Sequence, residues 1–112
     1  MKDLSHQQWR ATYEQLREDG FLDVTDMRIM GYRQTNPRLL WLPRFGAPIF
    51  QFKDGKLIDV VAKVNQLLAT AGHNPHQLAF WWINPDPDSG ESPIELIGKP
   101  KILWRLAQQS KK

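Results

Sequence analysis

The chain has 112 residues, a net charge of +3 and 41% hydrophobic side chains, which sizes it as one domain and excludes a second independent core or a largely disordered coil. It contains five Trp, five Phe and two Tyr but no cysteine, so disulfides, zinc–thiolate sites, iron–sulfur clusters and thiol catalysis are excluded together. No apolar run reaches the length of about 18 residues that a membrane span needs. The first six residues lack the apolar stretch of a secretory signal, so the expectation is a cytoplasmic protein in a reducing compartment.

Charge is distributed in blocks. Residues 1–27 carry net −3, residues 28–56 net +5, residues 57–98 net −4 and residues 99–112 net +5. The basic middle and basic tail are either solvated surface or footprints for a phosphate backbone or an acidic protein face.

The first helix is well signed. Ser5 stands three residues before Gln8 as a capping box, Leu4 and Trp9 form a hydrophobic staple, and Gly20 ends the element. Residues 23–30 read as a short second helix, capped by Asp23 or Thr25 and ended by Gly31. Residues 32–38 end in Asn36-Pro37, a turn signal. The apolar run Leu39-Leu40-Trp41-Leu42 is followed by Pro43, Gly46 and Pro48, so it belongs to a loop or an edge strand. Ile49-Phe50-Gln51-Phe52 alternates as a strand does, and Asp54-Gly55 is the signal of a two-residue hairpin turn.

A third helix follows from the stripe Leu57, Val60, Val61, Val64, Leu67, Leu68 and Ala71, ended by Gly72. Asn74, Pro75 and Gln77 cap a fourth, which carries Phe80, Trp81 and Trp82 and stops before Asn84-Pro85. Residues 85–90 are a loop by composition. Ser92-Pro93-Ile94-Glu95 reads as a further capping box opening a short helix to Ile97. Pro100 opens the last helix, with Ile102, Leu103 and Leu106 as its apolar face. The expected fold is mainly α: a small multi-helix domain of about six helices, with one short β-hairpin near residues 49–58.

Chemistry is sparse. No GxGxxG, P-loop, GxSxG or HExxH motif occurs, and the chain is not expected to be an enzyme or to hold a cofactor. His73 and His76 flank Pro75 without further ligands in register, so no metal site is expected. The stretch 86–91 fails the calcium-loop spacing, since position 12 counted from Asp86 is Ile97. The adjacent Trp81 and Trp82 point about 100° apart on a helix; either both fill the core or one anchors a partner. The aromatic load further suggests a homodimer.

Three segments in order carry a family resemblance: Pro48-Ile49-Phe50-Gln51-Phe52 followed by Asp54-Gly55-Lys56; Pro75 to Trp82 running into Asn84-Pro85; and Ser92-Pro93-Ile94-Glu95-Leu96-Ile97. Together they resemble the toxin-binding domain of the Xre/MbcA/ParS antitoxin family over roughly residues 41–100. The resemblance implies a bacterial antitoxin-like module that binds and neutralises a RES-domain toxin, which consumes NAD. The partner-binding residues it suggests are Trp81, Trp82, Asn84, Pro85, Ser92 and Pro93, with Arg105 of the basic tail reaching towards an anionic NAD-binding cleft. Family members often carry an N-terminal helix-turn-helix and repress their own operon. Residues 1–40 here are a degenerate version, because Pro37 falls where a recognition helix would continue. Operator DNA is therefore the alternative partner, through Arg28, Arg33, Arg38 and Arg44. A third reading is an orphan mobile-element domain that retained the fold.

Overall fold

Local caps decide where most of the helices begin. The computed structural model describes residues 5–111; Leu4, expected to staple onto Trp9, lies outside them, as does Lys112. Helix α1 spans His6–Asp19, opened by the Ser5–Gln8 capping box and closed at Gly20. Helix α2 spans Val24–Met30, with the carboxylates of Asp23 and Asp26 each accepting from the other's backbone N–H at its start and Gly31 left-handed at its end. Helices α3 (Asp59–Thr70), α4 (Pro75–Ile83) and α5 (Pro100–Ser110) complete the helical set.

Two small antiparallel pairs join these helices. Strand β1 (Phe21–Leu22) pairs with β2 (Ala47–Pro48), and β3 (Phe52–Lys53) pairs with β4 (Lys56–Leu57). The second pair is the expected hairpin; Asp54 and Gly55 both have positive φ, 53° and 76°, as a type I′ turn requires. The first pair was not expected. It needs Gly46, whose φ is 114° and where a Cβ would collide with the Leu22 carbonyl.

The expected architecture, mainly helical with a small hairpin, is the one observed. Besides the unexpected β1–β2 pair, five α-helices form where about six were expected, and three local details differ. Residues Ile49–Gln51 form a 3₁₀ turn instead of a strand, because the Gln51 side chain turns inward and occupies the backbone of Leu40. Residues Pro93–Leu96 are also 3₁₀, and Ser92 makes no side-chain cap there, so the predicted capping box with Glu95 does not form. The last helix buries Leu103 and Ala107, whereas Ile102 is 52% exposed.

The core is built from two clusters. The larger gathers Leu16 of α1, Val61, Val64 and Leu68 of α3, Leu78, Ala79, Trp81, Trp82 and Ile83 of α4, and Leu103 and Ala107 of α5. The smaller is centred on Met27, Leu39 and Ala47, with Leu22, Met30, Tyr32, Trp41, Phe52 and Leu57 packed around them. No helix among the described residues is long and apolar enough to cross a membrane.

Candidate functional site

Helix α4 positions most of the residues that the sequence singled out. Asn74 accepts from the Gln77 N–H at 2.8 Å, and the Gln77 side chain accepts from the Asn74 N–H at 2.9 Å. This box, with Pro75 in the first turn, fixes the start of the helix and so the direction of its side chains.

Trp82 is fully buried, and its indole N–H donates to Asn65 Oδ1 at 2.9 Å. Asn65 Nδ2 in turn donates to Gln51 Oε1 at 2.9 Å and to the Arg38 carbonyl at 3.0 Å. Gln51 Oε1 also accepts from the Leu40 N–H at 2.7 Å, while its Nε2 donates to the carbonyls of Leu40 and Pro48. Both amides thus have all their donors and acceptors engaged inside the core. This corrects the assignment of Trp82 to a partner interface: its side chain belongs to a closed internal network. Gln51 and Asn65 were missed as key residues. The available signal was Asn65 itself, a polar residue on the apolar stripe Val61, Val64, Leu68.

Trp81 is 9% exposed and meets Trp82 edge-on at 5.1 Å. It forms one wall of a hollow of about 180 Å³ that Asn84, Pro85, Pro93 and Leu106 also line. Asn84 and Pro85 are exposed; Pro93 is buried behind the hollow's surface. Ser92 is 5% exposed, so its predicted direct contact with a partner is corrected too: its side chain is turned into the fold. Arg105 is exposed on α5 and is not among the residues lining this hollow.

A second hollow of about 340 Å³ lies on the other side of the Asn84–Pro85 ridge, between α4 and the Gln7, Gln8, Ala11 and Gln15 face of α1. Phe80, Asn84 and Pro85 line both hollows. The loop beyond the ridge is held by its own bonds. Asp86 Oδ2 accepts from the Ser89 N–H at 3.0 Å, and the Asp86 N–H donates to the Glu91 carbonyl at 2.9 Å. The contribution of α1 to this face was not legible in the sequence, because it depends on how α1 and α4 pack.

The four arginines proposed for DNA lie on α2 and on the segments that follow it. Arg28 and Arg33 share a hollow with Val24, Met27 and Tyr32. Arg38 Nε instead donates to Gln66 Oε1 on α3 at 3.2 Å, and Arg44 sits in the turn between Leu42 and Gly46 with φ of 75°. No helix follows α2 before residue 49, so the chain here has no second, recognition helix.

The histidines are engaged separately. His73 Nδ1 donates to the Leu68 carbonyl at 3.1 Å, which assigns the proton of the neutral ring to Nδ1. Burial lowers its pKa, against the opposing effect of that hydrogen bond. His76 packs edge-on against Trp9 at 4.2 Å. Among the described residues, no group of three or more His, Cys, Asp or Glu side chains converges as a metal site would. Comparison of the chain with protein-family models, with curated proteins and with solved structures finds no match.

Proposed function

We propose that the chain is an antitoxin-like protein-binding module whose partner is a RES-domain toxin, engaged across the Asn84–Pro85 ridge. The observation that carries the reading is the hollow shared by Trp81, Asn84, Pro85 and Pro93. These residues come from two separate segments of the resemblance, and they meet at one face. The first segment contributes from behind: Gln51 ties the loop at Leu40 to Asn65, and Asn65 holds Trp82. An exposed ridge between two hollows, backed by rigid aromatic packing, suits an anchor-and-pocket contact.

The test is co-expression with a RES-domain toxin, followed by affinity purification and measurement of cellular NAD. Co-purification with restored NAD is the expected result, and Asn84→Arg, an exposed change, should abolish both. Continued NAD depletion with no co-purifying toxin would reject the reading.

The hollow shared by Arg28 and Arg33 favours operator DNA as a second reading. Contact through phosphates makes affinity fall steeply with salt. A gel shift at low salt that disappears in an Arg28→Gln, Arg33→Gln double variant would support it, and no shift at low salt would remove it.

A further inference from the structure

Where α3 and α5 begin, the two helices leave an open groove of about 680 Å³. Ile58, Val60, Ile97, Pro100 and Trp104 make its apolar walls, and Lys63, Lys101 and Asp59 complete the lining. It shares no lining residue with the two hollows at the Asn84–Pro85 ridge. Trp104 is half-buried here, with Lys101 exposed one turn before it.

Of the charged residues lining this groove, Lys63 and Asp59 are paired with each other at 3.4 Å, which leaves Lys101 as the unpaired charge. No acidic residue follows Glu95 in the chain. Lys101 and its sequence neighbours Lys99 and Arg105 have no ion-pair partner among the described residues. The N-cap positions of α3 and α5, Ile58 and Lys99, provide no side-chain cap. The first turn of α5, which holds no acidic residue, adds positive potential at this end.

These features discriminate between occupants. A second copy seated symmetrically in the groove would bring the cations of one α5 towards those of the other, which opposes association. A nucleic-acid backbone would satisfy the cations but leave the apolar walls without a counterpart. An acidic protein segment with spaced apolar side chains satisfies both, in the manner of a helix laid into a groove. We propose that the α3–α5 groove is a docking site for an acidic, amphipathic segment of a partner protein, with apolar side chains seated on Ile58, Val60 and Trp104 and carboxylates facing Lys101. This goes beyond the toxin reading and does not depend on it.

The test is selection of short random peptides displayed on phage against the full chain, followed by NMR of the selected peptides with the protein. Trp104→Phe identifies the Trp104 indole resonance. Expected are enriched peptides that are acidic, carry apolar residues at helical spacing, and shift that resonance. Lys101→Glu, an exposed change, should weaken them about tenfold by turning an attraction into a repulsion. A selection that enriches nothing, peptides without acidic bias, or binding that leaves the Trp104 resonance unmoved would each overturn the proposal. So would a concentration-dependent dimer that buries Trp104, or duplex DNA that displaces the peptides from it; these assign the groove to a second copy or to nucleic acid.

Discussion

The two hydrophobic clusters are built on different principles. The larger is assembled mainly from the long helices α1, α3, α4 and α5, and the Gln51–Asn65–Trp82 chain of hydrogen bonds passes through it. The smaller is assembled from fragments: the seven-residue α2, the loop after it, and strands of two residues. Its main polar tie is the Leu57 N–H donating to the Tyr32 hydroxyl at 2.9 Å. The lesson is that the larger cluster owes its order to buried bonds it cannot exchange for water, whereas the smaller sits near solvent that can replace its ties.

The strongest way to break this contrast is Gln51→Leu. It strands the Leu40 N–H and carbonyl, the Pro48 carbonyl and one Asn65 donor inside the protein. Buried unsatisfied groups are costly enough that the urea midpoint should fall by the equivalent of about 4 kcal/mol. Met27→Ala, at the centre of the smaller cluster and 1% exposed, should cost about 2–3 kcal/mol in the same measurement, since loops and short strands around it can relax into the space. If Met27→Ala proves more damaging than Gln51→Leu, the contrast is wrong.

Tyr32→Phe sharpens the comparison locally. It removes a part-buried bond at the edge of the hairpin, a loss of about 1 kcal/mol, and should speed tryptic cleavage at Lys53 and Lys56 while the C-terminal helices stay intact. The smallest effect expected is that of pH at His73. Its pKa is lowered in the folded chain from an ordinary value of 6.5, so the unfolded chain takes up the proton first. The stability contributed by the neutral, buried ring is therefore full above pH 6.5 and is lost as pH falls through the lowered value. Thermal unfolding of a His73→Asn variant should show a shallower decline over that window than the parent chain.

Much of the helical frame was legible because its signals are local. Ser5 with Gln8, Asp23 with Asp26, and Asn74 with Gln77 each close a bond over three residues. Asp54-Gly55 likewise fixed the hairpin turn from two adjacent residues. The 3₁₀ turn at Ile49–Gln51 was not legible, because what overrides the strand-like alternation is an amide reaching eleven residues back to Leu40. The strands β1 and β2 were missed for a related reason: two residues are too few to show alternation, and their partners lie far apart in sequence.

The candidate site divides in the same way. Asn84 and Pro85 could be placed at an exposed helix end from the stop signal alone. Which tryptophan faced outward could not be read, since α4 is buried on nearly every side, including Gln77, Leu78, Ala79, Trp81, Trp82 and Ile83. An amphipathic stripe points to a surface, and a helix without one gives no direction. The α3–α5 groove was invisible for a different reason. Its walls come from two helices some forty residues apart, and only their packing brings Val60 and Trp104 to one opening.

The indole proton of Trp82 has one further use. It is bonded to Asn65 at the centre of the fold, with no exposed atom of its ring, so its exchange with solvent deuterium should require global opening of the chain. Docking at either proposed face touches neither Trp82 nor Asn65. This single proton therefore acts as an internal clock: a ligand that slows its exchange stabilises the whole domain in proportion to its occupancy, and a substitution that speeds it has loosened the fold rather than merely altered a contact surface.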